Sequence, residues 1–274
     1  MIIDGRALAQ TIREKIKQRV TTLPSSPGLA VILVGADPAS HTYVSIKQKA
    51  CEEVGIRFKK YLYFATESEE TIINKIHELN AREDIHGILV QLPLPNQDAD
   101  HVIAEIDPKK DVDGFHPENI SKLKLGEPAL APAVALGILK LINSTNEPLD
   151  GKTATIISSE RFAEPIVALL RERGVVSYVC PEEHSDTKKH ASQSDILIVA
   201  EGHPNFITGD MVKHGAIVID VGTTKVDGKL IGDVDRASVE PIAGYLTPVP
   251  GGVGPMTVAM LLENVLKAHT LQNM

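Results

Sequence analysis

Apolar and polar positions along this chain fall into an alternation of helix-like and strand-like segments. An amphipathic pattern predicts a helix over about 6–20, and the continuous, β-branched run LAVILVG (29–35) predicts a buried strand. The turn residues ADPAS lead into a predicted helix over 40–54, for which Ser40 is the expected N-cap. A strand near 57–63, a helix over 68–80 and a strand over 87–92 follow, the order of a parallel-sheet α/β domain. After a connecting helix (134–144) the alternation resumes with strands at 153–158, 175–180, 195–201 and 216–222 and a helix over 164–173. That second set reads as a Rossmann-like half. The fold class expected is therefore α/β, two domains with parallel sheets, the second Rossmann-like. The first is expected to span 1–117, completed by a C-terminal helix over 253–274, and the second 118–252.

A length of 274 residues suits two such domains, and 43% hydrophobic content with scattered charge excludes a disordered chain. No apolar run reaches the roughly 20 residues of a membrane span. The N-terminus has an acid at position 4 and lacks a secretory signal's basic start and apolar core, so a cytoplasmic location is expected. Cys51 and Cys180 lack CxxC spacing and read as ordinary thiols, with no zinc site expected. A net charge of −8 with no basic cluster, no Trp and 4% aromatics argues against a nucleic-acid surface, while leaving room for a small anionic substrate in a locally positive cleft.

The candidate chemistry lies where apolar strands stop. Tyr43 and Lys47 are four apart on one helix face, so hydroxyl and ammonium reach the same volume beyond the carboxyl end of a strand, where open α/β sheets bind ligands. Alone, such a pair is usually a half-buried ring beside a solvated charge. Its company is Gln91, ending GILVQLPLP, and Asp113 in DPKKDVDGFHP. Asp111 is assigned to the turn, and a calcium loop is rejected because His116 and Lys122 stand where Gly and Glu are required. Near the C-terminus, PGGVGPMT opens a helix with glycines and Pro255. Such an entrance serves equally as an anion site or as a tight turn.

Together the VG…S…Y…K…GI segment, QLPLP, KDVDG and TPVPGGVGPMT resemble the methylenetetrahydrofolate dehydrogenase/cyclohydrolase family along the whole chain. The resemblance implies tetrahydrofolate derivatives as substrates, NADP as cofactor and a homodimer. It also implies that Lys47 is the catalytic lysine, with Tyr43 stacking on the folate, Gln91 tuning Lys47, Asp113 holding the pterin, and Gly254 and Pro255 in the loop that closes the folate cleft. The chemistry is consistent: water adds to a cationic, amidine-like carbon, and a buried lysine of depressed pKa is a competent base near neutral pH.

The nucleotide half departs from the family pattern. Ser158, Ser159 and Glu160 stand where Gly-Arg-Ser is usual, no glycine lies between Gly151 and Gly174, and the turn runs one residue short before Pro165. Glu160 and Glu164 place negative charge at a helix N-terminus where a phosphate would sit. Cys180-Pro181-Glu182 replaces Cys-His-Ser, Ala133-Val134-Ala135 replaces Cys-Thr-Pro, and Thr223 stands where an apolar residue meets the cofactor. The expectation is a methenyltetrahydrofolate cyclohydrolase with NADP-dependent oxidation weak or absent. The alternatives are the full bifunctional enzyme with a rearranged cofactor turn, and a non-catalytic folate-binding protein.

Overall fold

The computed structural model describes residues 1–180 and 186–273. The chain divides into two compact units, Gln10–Ala133 with Val258–Met274, and Met1–Ala9 with Val134–Thr257.

The first of these holds most of helix α1 (Gly5–Val20), β1 (Gly28–Val34), α2 (Pro38–Val54), β2 (Arg57–Tyr63), α3 (Glu69–Asn80), β3 (Gly87–Gln91), α4 (Ala99–Ala104) and α5 (Pro117–Leu125). The sheet is parallel, in the order β2-β1-β3. Central β1, GLAVILV, is buried at every position, which is why it reads as one apolar run rather than an alternation. Ile72, Ile76 and Leu79 of α3 pack with Ile32, Ile88 and Val90 beneath it. The Lys110 ammonium closes the end of α3 by donating to the carbonyls of Asn80 (2.8 Å) and Arg82 (2.7 Å). The N-cap of α2 is Asp37, not Ser40: Pro38 takes the first helical position, and the Asp37 carboxylate accepts from both the amide (2.8 Å) and the hydroxyl (2.7 Å) of Ser40. A carboxylate one residue ahead of a proline outcompetes a serine that lies inside the first turn.

The other unit holds β4 (Thr153–Ile157), α7 (Glu160–Arg171), β5 (Val176–Cys180), α8 (Thr187–Gln193), β6 (Ile196–Val199), β7 (Ile217–Asp220), the hairpin β8 (Thr224–Val226) and β9 (Lys229–Ile231), α9 (Arg236–Val239) and β10 (Tyr245–Leu246), after most of α6 (Ala133–Asn143). Its parallel sheet has the order β10-β7-β6-β4-β5, so the strand order reverses between β4 and β6. Helix α10 (Val253–Gln272) carries the C-terminus.

Three boundaries differ from the sequence reading, one of them the C-terminal segment of the first unit, which starts at Val258 rather than 253. Residues 1–9 join the second unit because Ile2 bridges to Leu246, with Ile3 N donating to Leu246 O and Leu246 N to Met1 O, both at 2.9 Å. The residues between 118 and 133 stay with the first unit, where Asn264 Nδ2 donates to the carbonyls of Val112 and Ala131, each at 2.9 Å. Helix α7 likewise begins at Glu160 rather than 164, because Ser159 caps it and Pro165 is carried inside the helix.

Candidate active site

At the carboxyl end of the three-stranded sheet, α2 presents Tyr43, Lys47 and Cys51 one turn apart. Tyr43 is 41% exposed, Lys47 only 8%, and Cys51 fully buried. The Lys47 ammonium donates to Gln91 Oε1 at 2.8 Å across the end of β3. Gln91 Nε2 in turn donates to Leu92 O at 2.8 Å, which aims the amide oxygen at the lysine. The Leu92–Pro93 peptide that follows is cis.

Burial pushes the Lys47 pKa down, and the attraction of the Asp113 carboxylate opposes it. Asp113 keeps part of its residue surface exposed, but protein surrounds its carboxyl, and burial pushes that pKa up against the pull of Lys47. Burial thus moves both partners toward their neutral forms. Burial also pushes the Cys51 thiol up to about 12, so it faces Lys47 as a neutral group.

The turn that carries Asp113 is built by Asp111, which is 1% exposed. Its Oδ1 accepts from Gly114 N (3.0 Å), and its Oδ2 from His116 N (2.7 Å) and Asn119 Nδ2 (3.2 Å). Gly114 has φ +87°, and a Cβ there would lie 2.4 Å from the Ala131 carbonyl carbon, so glycine is required on both counts. Asp113 O accepts from Ala133 N at 3.1 Å, within the segment that departs from the family pattern, so the turn keeps its backbone seat despite the changed side chains. Neither Asn119 nor the buried state of Cys51 was marked in the sequence, because each depends on which elements meet.

The structure brings Tyr43, Lys47, Gln91 and Asp113 together in one unit; the other candidates belong to the other. Gly254 and Pro255 lie in the first turn of α10, where a Cβ on Gly254 would meet nothing within 4 Å. The glycines that geometry demands are Gly251, at φ +118°, and Gly252, whose Cβ would stand 2.7 Å from that of Thr247. This entrance is a tight turn. At the β4–α7 turn, Ser158 is 1% exposed and donates its hydroxyl to Ser159 O (3.1 Å), while Ser159 Oγ accepts from Phe162 N (3.4 Å). Glu160 follows, exposed, in the first turn. Both serine hydroxyls are thus engaged within the turn, and a carboxylate stands at the positive end of the helix. Thr223 is exposed beside the β8–β9 hairpin, and Glu182 lies outside the described residues.

Residues 3–113 match the family described as tetrahydrofolate dehydrogenase/cyclohydrolase, catalytic domain, and residues 132–273 its NAD(P)-binding domain. The chain belongs to this family. It is 50% identical over 273 residues to the bifunctional protein FolD of Dechloromonas aromatica, covering 97% of this chain and 96% of that one. Among solved structures, the bifunctional FolD enzyme of Campylobacter jejuni superposes with a TM-score of 0.96 at 42% identity, covering 99% of each chain. The Trypanosoma brucei enzyme, determined with NADP and an inhibitor, gives 0.95 at 34% identity, covering 99% of this chain and 97% of that one. The family places the protein in one-carbon folate metabolism and its second unit among NAD(P)-binding domains. No helix among the described residues is long and apolar enough to cross a membrane.

Proposed function

We propose that this chain is a bifunctional enzyme that oxidises methylenetetrahydrofolate with NADP and hydrolyses the methenyl product to 10-formyltetrahydrofolate. The observation that carries the hydrolytic half is the buried Lys47 ammonium held on Gln91 beside Asp113. Neutral Lys47 takes a proton from the attacking water as its oxygen bonds the cationic methenyl carbon; the C–N5 bond of the resulting carbinolamine then breaks as N5 takes that proton from the Lys47 ammonium and the hydroxyl loses its own to solvent, leaving the formyl group on N10. Gln91 sets the direction of the Lys47 side chain, Tyr43 offers its exposed ring as a stacking face, and Asp113 accepts from the amino-pyrimidine edge. The oxidising half is supported by relatives about 50% identical over nearly their whole length that bear the bifunctional name. When bound, NADP supplies the hydride acceptor, and the β4–α7 turn and Thr223 are the residues of this chain assigned to it. In this reading the enzyme works in the cytoplasm as a homodimer, and the exposure of Val176 and Tyr178 (55% and 46%) on edge strand β5 supports pairing of two copies there.

A second reading, a cyclohydrolase with weak or absent oxidation, is favoured by the engaged serines and Glu160 at the β4–α7 turn. The deciding experiment follows reduction of NADP⁺, and of NAD⁺ in parallel, by purified protein given methylenetetrahydrofolate. Steady turnover is the result expected of the bifunctional enzyme. Its absence from a sample that still hydrolyses the methenyl compound would overturn that reading in favour of the second.

A further inference from the structure

Two buried carboxylates at the carboxyl end of the five-stranded sheet take no part in the hydrolysis. Asp220 ends β7 and is 3% exposed; its Oδ1 accepts from Asp233 N (3.0 Å) and its Oδ2 from Val234 N (3.1 Å), with the Gly222 amide a further donor. Asp233 is fully buried, and its Oδ2 accepts from Glu201 N (2.7 Å) and Gly202 N (3.0 Å) in the loop after β6. Its Oδ1 is buried without a hydrogen-bond partner.

The approach is close. A Cβ on Gly222 would lie 2.0 Å from Asp233 Cγ, and one on Gly232 1.9 Å from Asp220 Oδ2. The two acids therefore close the base of the β8–β9 hairpin, which Thr224 Oγ1 also ties to Gly202 O at 2.9 Å. The charged group that acts on Asp220 is acidic too: Asp233, from the loop after β9. Its other neighbours are neutral, Thr247 after β10 and Val249 beyond it. The clasped loops leave the ends of β6 and β7, the edge of the sheet at which dinucleotides bind in folds of this order.

We propose that Asp220 and Asp233 are positioning residues, a carboxyl clasp that holds the Glu201–Gly202 and Gly222–Thr223 segments in the geometry that receives the nucleotide and that loosens as Asp220 gives up its proton. The proposal rests on the reading that this unit binds NADP, and it adds a pH dependence to that binding. Burial, with the Asp233 charge adding to it, pushes the Asp220 pKa up to about 7. The folded value lies above the unfolded one, so the clasp's contribution to stability is full below about pH 4, declines as pH rises toward 7 and is level above it.

Asp233→Asn isolates the effect. Its amide oxygen can accept the Glu201 and Gly202 amides as Oδ2 does now, its NH2 falls at the unpartnered Oδ1 position, and the charge that acts on Asp220 is removed. Calorimetric titration of the full-length protein with NADP⁺ at pH 6 and pH 8 is expected to show affinity falling about tenfold more in wild type than in Asp233→Asn, the effect of one pKa unit between free and bound states. Thermal midpoints of the unliganded proteins are expected to fall between pH 5 and pH 7 more steeply in wild type than in the variant. Nucleotide binding with the same pH dependence in both proteins would overturn the coupling. If wild type binds no NADP⁺ at any pH, the dehydrogenase reading fails separately, and parallel midpoint curves would then overturn the clasp itself.

Discussion

Replacing Gln91 with leucine removes the one side-chain acceptor that holds the Lys47 ammonium at 2.8 Å, while keeping an apolar side chain of similar size at the end of β3. A hydrogen bond to a charged group contributes about 1.5–3 kcal/mol, more than the neutral amine gains from the same acceptor, so its loss lowers the Lys47 pKa further. The direction is fixed, since burial already disfavours the ammonium and only Asp113 and Cys51 would remain to favour it. If neutral Lys47 is the base, the ascending limb of kcat/KM for methenyltetrahydrofolate hydrolysis moves down in pH. The plateau also falls, because a weaker base takes a proton less readily. The assay is the pH profile of hydrolysis, measured for wild type and variant side by side. A limb left in place, or moved upward, would refute the assignment of that limb to Lys47.

Asp111→Ala strips three hydrogen bonds from the turn that carries Asp113 and should lower unfolding free energy by about 2–4 kcal/mol in urea titrations, with folate affinity falling as the turn loosens. Gly5→Ala would set a Cβ 2.1 Å from Gly252 O, so the Thr247–Gly252 loop must shift, and a clear fall in thermal midpoint is expected. On the surface, Glu69 raises the His101 pKa through a 2.7 Å contact; that small contribution is full below about pH 6.5 and is lost as pH rises through the folded value. His101→Ala should therefore flatten the decline of thermal midpoint just above neutral pH, and an unchanged slope would contradict the pairing.

Much of the fold was legible because its strands are buried on both faces. β1 and β6 are unbroken apolar runs, and β3 and β7 are apolar up to their last residues, so a parallel α/β alternation follows from their spacing. The helix starts were less legible because caps compete. Asp37 and Ser40 are both good cap residues, and only the position of Pro38 decides between them. The unit boundaries depend on long-range bonds such as Ile3 to Leu246 and Asn264 to Ala131, which no local pattern encodes. In the site, the Tyr43–Lys47 spacing was readable, but the 8% exposure of Lys47 arises where α2 meets the ends of β1 and β3. The β4–α7 turn was readable in composition; that Ser158 faces inward and spends its hydroxyl on Ser159 O was not. Asp220 and Asp233 gave no signal, since their partners are backbone amides from other segments.

The most direct measurement compares wild type with Lys47→Met for methenyltetrahydrofolate hydrolysis, alongside calorimetric affinity for tetrahydrofolate. With Lys47 as the base, hydrolysis by the variant falls at least about a hundredfold while folate still binds within a few-fold of wild type. Hydrolysis that survives the substitution, or a wild type that binds folate without turning over the methenyl compound, would contradict a catalytic role for Lys47.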